Sequence, residues 1–354
     1  MNKSLTRIAT GVLAATLAFT ALYSAPVAAV KAGATCKTKG EIKKKGTLVC
    51  KKQSGKLVWV KVDPWKGLSG SIRVDGSSTV TPLIAITAED FQKATKNKVR
   101  VTVATSGTGG GFEKFCKNET DISMASRPIK TSEADACAAA GVKYAKVTVA
   151  NDGLAVVVNP KNTWATCLTT AELKKIWEPA AEDKVNNWKQ VRSDFPSRGL
   201  VLYGPGADSG TFDYFTEAIN GKSKVSRTDY QPSEDDNIIV NGIANTLGGL
   251  GYFGLSYVLE NPTKVKALQI DSGAGCVAPT TTTVQNGTYK PLGRELYIYV
   301  KQSSLKNNKA LAKFIEYYLY HIKGIVKEAL FVPLTAAQLK ATKEEVERVK
   351  NLAD

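Results

Sequence analysis

Three short stretches collect small hydroxyl residues and glycines where a strand or loop would enter a helix: "DGSSTVTPL" (75–83), "TSGTGGGF" (105–112) and "GADSGTFDYF" (206–215). The residue types set what such a stretch can do. The first amides of a helix have no intrahelical partner, and the helix dipole puts partial positive charge on them. Glycine lets a ligand approach the backbone closely, and Ser or Thr hydroxyls add donors that rotate to fit. Each stretch can therefore hold an anion. Taken singly, each also fits a plain N-cap whose hydroxyl serves only its own helix. Three of them in one chain favour a shared anion site. A fourth stretch, "DISMASRPI" (121–129), puts Arg127 in a turn after a short strand. A guanidinium suits bidentate contact with a tetrahedral oxyanion, although a surface ion pair would use it equally well.

Other chemistry finds little support. "SGTGGG" lacks the GK[ST] of a P-loop and the proper form of the dinucleotide fingerprint. The single histidine, His321, lies in an amphipathic helical pattern far in sequence from every hydroxyl loop. There is no GxSxG elbow and no His/Cys/Asp grouping at zinc spacing. No catalytic residue, metal or cofactor is expected. The rival enzymatic reading, a phosphate-ester hydrolase using Ser209 or Ser78, would need a base that these motifs do not supply.

The elements that must position the loops follow from periodicity. From Ser71 onward strands and helices alternate. "SIRVDG" is a strand, followed by a helical stripe of Val80, Leu83, Ile84, Thr87 and Phe91; "KVRVTVA" is a second strand. "YAKVTVA" and "GLAVVVN" are continuous apolar runs, as expected of strands buried on both faces in a parallel sheet. "RELYIYV" (294–300) is another strand. A helix follows with apolar residues at 311, 314, 315, 318, 319 and 322, then a polar one in "TKEEVERVKNL". This alternation predicts open α/β sheets with ligands at the carboxyl ends of strands. A chain of 354 residues suggests about two domains, here two lobes with a cleft between them.

The N-terminal region has its own character. Lys3 and Arg7 precede an apolar run from Ile8 to about Tyr23, then "SAPVAA". This reads as a secretory signal over 1–29, too short to span a bilayer, so the chain is expected to be exported. The net charge of +16 invites a nucleic-acid reading. Its distribution opposes one, because eleven lysines between 31 and 66 face only Glu41 and Asp63. The basic character is concentrated in a small β module over 30–66, built around "TLVC" and "KLVWVK". Its partner would be an anionic envelope polymer, unless the lysines are simply a solvated face. Six cysteines in an exported chain imply disulfides, with 15 pairings formally open. Pairs that are local or confined to one lobe are favoured: Cys36–Cys50, Cys116–Cys137 and Cys167–Cys276.

"DGSSTVTPL", "SGTGGGFEKFC", "DISMASRPIK", "GPGADSGTFDYF" and "SEDDNIIVNGI…LGGLGYFGLSYV", in order over roughly 69–334, together resemble the periplasmic phosphate-binding protein (PstS-type) of the phosphate ABC importer. The resemblance implies an α/β type II periplasmic-binding-protein fold, with a hinge of two or three crossing strands. Lobe 1 would span 69–149 and 301–354, and lobe 2 would span 150–300. It implies inorganic phosphate as ligand, the importer's membrane permease as partner, and a place in the periplasm or on the outer face of the envelope. The family's phosphate donors would fall on Ser78, Thr79, Thr108, Gly109, Ser209, Gly210 and Thr211. Two positions depart from better-known members: Arg127 stands where they carry an aspartate, and Pro205 where they carry an arginine. The departure leaves open which carboxylate accepts the proton of hydrogen phosphate. Asp208 is the first choice, with Asp121 and Asp235 behind it. Sulfate or molybdate remains the alternative ligand.

Overall fold

The computed structural model describes residues 31–37, 42–43, 48–63, 65–207 and 209–352. The expected export signal at 1–29 lies outside them. Two compact units divide between Lys66 and Gly67. In the first unit, Ile42–Lys43, Leu48–Gln53 and Lys56–Lys61 form a three-stranded antiparallel sheet. Leu48, Cys50 and Trp59 are buried in a small core completed by the Cys36–Cys50 disulfide. So few apolar residues make a small core, and a crosslink substitutes for burial in such units.

The second unit is built on one nine-stranded sheet. Its first half comprises strands β1 (Gly70–Gly76), β2 (Val99–Val103) and β3 (Ile122–Ala125), linked by helices α1 (Thr81–Ala94) and α2 (Gly107–Cys116). Helix α3 (Thr131–Ala139) leads into β4 (Tyr144–Val158). The second half comprises β5 (Val201–Pro205), α4 (Gly210–Asn220), β6 (Gln231–Ser233), α5 (Asp236–Asn245) and β7 (Gly249–Gly254). Strand β8 (Gly293–Lys301) returns to the middle, and α6 (Lys309–Glu328) and α7 (Ala336–Asn351) end the chain. The order is β6-β5-β7-β4-β8-β3-β1-β2, with Lys266–Ala267 also on β4. Within each half the pairings β1 with β2 and β3, and β5 with β6 and β7, are parallel.

Strand β4 corrects the sequence reading. "YAKVTVA" and "GLAVVVN" are one 15-residue strand, and it runs antiparallel to both β7 and β8. A continuous apolar run reports burial on both faces, and Ala150 to Val158 are all buried; it carries no information on direction. Asn151-Asp152-Gly153 would ordinarily signal a turn. Here the Asn151 amide and carbonyl both pair with Val332, and its side chain donates to the Pro333 carbonyl and to Gln338. Gly153 leaves room for Val284, which would lie 2.7 Å from a Cβ there. These partners keep the segment in the strand, next to a register shift against β8 between Leu296 and Tyr297.

Apolar packing is divided in the same way. One core runs from Leu154 to Leu292 around Trp177, Trp188, Phe215 and Tyr252. Another gathers Phe112, Phe115, Ala125, Tyr297 and Tyr299 beneath α2. The Cys116–Cys137 disulfide ties α2 to α3, and Cys167–Cys276 joins two strands of a separate small sheet. All three pairings are the favoured ones. Of the six apolar positions expected on α6, Leu311, Phe314, Ile315, Tyr318 and Ile322 are buried and Leu319 is half-buried; the helix continues to Glu328.

Candidate functional site

The site is assembled at the carboxyl end of β1, where close packing admits only glycine. Gly76 has φ +138°, and a Cβ there would lie 2.2 Å from the Met124 carbonyl oxygen on β3. Gly111 of α2 faces it, where a Cβ would lie 2.5 Å from the Gly76 Cα. The start of α2 is thereby drawn onto the loop that follows β1. The buried Asp75 fixes the two segments together: its Oδ1 accepts from the Gly76 amide (2.7 Å), the Ser106 amide (2.9 Å) and the Ser106 hydroxyl (2.9 Å). Lys114 donates to Oδ2. Burial pushes the Asp75 carboxyl up, but Lys114, the Ser106 hydroxyl and the two amides outweigh it and hold it below the usual range.

Above this floor lies a polar cavity of about 200 Å³. The first half of the sheet contributes Ser77, Ser78 and Thr79, then Gly107, Thr108 and Gly109, then Ser126, Arg127 and Lys130. The second half contributes Asp213, Tyr214 and Glu217 from α4, and Ser223. Arg294 enters from β8. The cavity thus lies between the two halves, at strand ends and helix N-termini, where open α/β sheets place ligands. Thr108 and Ser126 share a hydroxyl hydrogen bond of 3.1 Å. Arg127 donates from Nη1 and Nη2 to the two Glu133 oxygens, both at 2.8 Å, so part of its charge is neutralised by its own neighbour.

The sequence-predicted residues divide cleanly. Ser78, Thr79, Thr108, Gly109 and Arg127 all line the cavity. Ser209, Gly210 and Thr211 do not, and the reason is local. The Ser209 hydroxyl caps α4 by accepting from the Thr211 amide (3.2 Å), as a plain N-cap does. The Gly210 carbonyl accepts from the Thr79 hydroxyl (3.2 Å), so this loop seals the cleft edge against the first loop. Asp208 lies outside the described residues. Asp121 is occupied elsewhere, accepting from the Arg73 amide and the Ser304 hydroxyl at 2.8 Å each. Asp235 caps α5 through the Asn237 amide (2.9 Å) and is exposed. His321 packs beside Tyr317 and Tyr320 on α6 and is absent from the cavity lining.

Four charged residues that the loop pattern did not announce also line the cavity: Lys130, Asp213, Glu217 and Arg294. Arg294 Nε lies 3.3 Å from Asp152 Oδ2, its Nη2 donates to Thr79 Oγ1 (3.1 Å), and its guanidinium carbon sits 3.3 Å from the Tyr214 ring centroid. Asp152 is buried; burial pushes its carboxyl up more than Arg294 pulls it down. Asp213 Oδ1 is buried and accepts no hydrogen bond from the described residues, with Lys224 Nζ 3.9 Å away. Burial raises the Asp213 carboxyl, opposed by Lys224 and Arg294 and aided by Glu217. The signals were present but weak: a charge at the start of an apolar strand, and an acidic residue two positions after the SGT triplet.

Residues 61–320 match the PBP superfamily domain. The chain is a PstS-type substrate-binding protein. It is 46% identical over 266 residues to the protein SphX of Synechocystis sp., covering 75% of this chain and 79% of that one. It is 38% identical over 273 residues to the phosphate-binding protein PstS of Staphylococcus saprophyticus, covering 77% and 82%. A solved structure of a possible phosphate binding protein from Planctomyces limnophilus aligns with TM-score 0.76 and 44% identity, over 80% of this chain and 99% of that one. The type II fold expected from the sequence is the fold of this substrate-binding protein. The family consists of substrate-binding proteins and not enzymes, which sets aside the hydrolase reading.

Proposed function

We propose that the protein is an exported receptor that binds inorganic phosphate in the cavity between two lobes and delivers it to the permease of an ABC importer. The lobes are 69–149 with 301–354, and 150–300, hinged at β4 and β8. The carrying observation is the lining itself: hydroxyls and backbone of 77–79 and 107–109, with two arginines each held by a carboxylate of its own. Fixed neutral donors and anchored guanidinium groups select a geometry and a charge, whereas a loose lysine cluster would attract any anion. Phosphate is dehydrated by these donors and held without covalent chemistry.

Asp213, whose buried Oδ1 accepts no hydrogen bond from the described residues and has Lys224 Nζ 3.9 Å away, is read as the proton acceptor beside Asp208, which lies outside the described residues. Hydrogen phosphate carries a proton at neutral pH that a carboxylate can accept, and sulfate carries none. An ionised carboxylate facing sulfate leaves like charges desolvated against each other. The lysine-rich module over 30–66 is read as a separate contact for anionic envelope polymer. Equilibrium dialysis of the protein with labelled phosphate, with sulfate and molybdate as competitors, tests the reading. Retention of phosphate against a hundredfold excess of sulfate is expected. Equal displacement by sulfate, or no retention, overturns it.

A further inference from the structure

Arg294 contacts both halves of the sheet around the site. It stands opposite Asp152 across the β8–β4 pair, the two strands that pass between the halves of the sheet. Its Nη2 reaches Thr79 of the first half, whose hydroxyl goes on to the Gly210 carbonyl at the start of α4. Its flat face lies on Tyr214 of that same helix, and the Tyr214 hydroxyl donates to the Pro291 carbonyl (2.6 Å) just before β8. Hydrogen bonds to described residues use two of the five N–H groups that a guanidinium offers. The others belong to a group that lines the cavity.

This arrangement can exist only when Thr79 and α4 are together. The Arg294–Asp152 pair belongs to the crossing strands and needs no closure, whereas the bonds to Thr79 and the stack on Tyr214 need both halves in place. Resting on the phosphate reading above, we infer that Arg294 is a ligand of the bound phosphate and also transmits its presence from the hinge to both lobes. Asp152 is its positioning residue, holding the guanidinium at the cavity wall through Nε. An anion on the free N–H groups offsets the positive charge that draws the guanidinium toward Asp152, and orients it toward Thr79. Phosphate and the Thr79–Gly210 contact then stabilise the same closed arrangement, each strengthening the other.

The test uses the full chain, inorganic phosphate, titration calorimetry and small-angle scattering with and without phosphate, on the parent, Arg294→Lys, Thr79→Val and the double variant. Arg294→Lys keeps the charge and loses the fork. It is expected to lower affinity about thirtyfold or more, as for a buried charge-paired contact, and to shrink the phosphate-induced fall in radius of gyration. Thr79→Val should shrink that fall too, and the double variant should be little worse than Arg294→Lys alone, because both act through one bridge. Arg294→Lys affinity within about threefold of the parent, or additive losses, overturns the inference. So does full compaction at saturating phosphate in either single variant. Should Arg294→Lys fail to fold, Thr79→Val alone decides by the same compaction. A parent that binds no phosphate overturns the phosphate reading itself, a result distinct from any variant's failure.

Discussion

Gly210 lies so close to Thr79 that a Cβ on it would sit 2.7 Å from the Thr79 amide nitrogen and 2.8 Å from its Cα. These are backbone atoms on opposite sides of the cleft, and neither can move aside as a flexible side chain would. The two halves of the sheet thus meet at this point with no room for a side-chain carbon. Gly210→Ala is therefore expected to hold the cleft ajar, weakening phosphate at least about tenfold and enlarging the phosphate-bound radius of gyration. Alanine is a better helix former than glycine at the first position of α4, so unfolding of the ligand-free protein should change little. Calorimetric titration with phosphate alongside thermal unfolding separates the two effects. Parent-like affinity in Gly210→Ala would show that the contact plays no part in binding.

Asp213 allows a test of selectivity. Its buried Oδ1 has no hydrogen-bond donor among the described residues, and burial raises its carboxyl. Asp213→Asn keeps the size and removes the charge that repels sulfate. The phosphate-over-sulfate preference is expected to narrow by at least about tenfold, mainly through tighter sulfate binding. Competitive dialysis at fixed pH measures it. If Asp213→Asn preserves the ratio while Asp208→Asn collapses it, the acceptor is Asp208.

How much of this site the sequence discloses depends on whether the information is local. Ser78, Thr79, Thr108, Gly109 and Arg127 line the cavity, and each sits beside the strand-to-helix turn that places it, where local sequence carries the signal. The α/β character of the sheet's halves was readable from the alternation of strands and helices. Arg294 was not, because its role depends on a cross-strand partner 142 residues away, and the antiparallel register that makes the pair is a tertiary fact. Asp213 was hidden for another reason. An acidic residue in the first turn of a helix is favoured by the helix dipole, and that explanation conceals any further role. In Ser209 to Thr211 the local signal has two uses: the Ser209 hydroxyl accepts from the Thr211 amide of its own helix, and the Gly210 carbonyl accepts from Thr79 of the other half of the sheet.

The disulfides should differ in weight. Cys167–Cys276 closes a loop with a separation of 109 residues, and Cys116–Cys137 one of 21. On the chain-entropy account the first restricts the unfolded chain more, by about 4–5 kcal/mol against about 3 kcal/mol. Pairwise Cys→Ala variants compared by urea unfolding should show the larger loss at Cys167/Cys276. Equal losses, or the reverse order, would indicate that folded-state packing around Cys116 and Cys137 decides instead.

Asp236 gives a pH dependence with a definite sign. It is the first residue of α5, half-buried, and next to Asp235 and Glu234. Burial first, then the fields of those two carboxylates, pushes its carboxyl up to about 6 from the ordinary 3.8. Between those values the native protein keeps a proton that the unfolded chain has lost. Stability therefore falls as pH rises through this window and levels off above about 6. Ionised Asp236 is a destabilising group at neutral pH, by at most about 3 kcal/mol from the size of the shift. Asn has no charge to desolvate, but it also gives up an acidic group at a helix N-terminus, which is worth about 0.3–1 kcal/mol. Asp236→Asn is expected to be more stable than the parent at pH 8 by about 1–2 kcal/mol, and no more stable at pH 4. Urea unfolding at the two pH values measures the difference. A gain of equal size at both would mean that the substitution acts through packing and not through the buried charge.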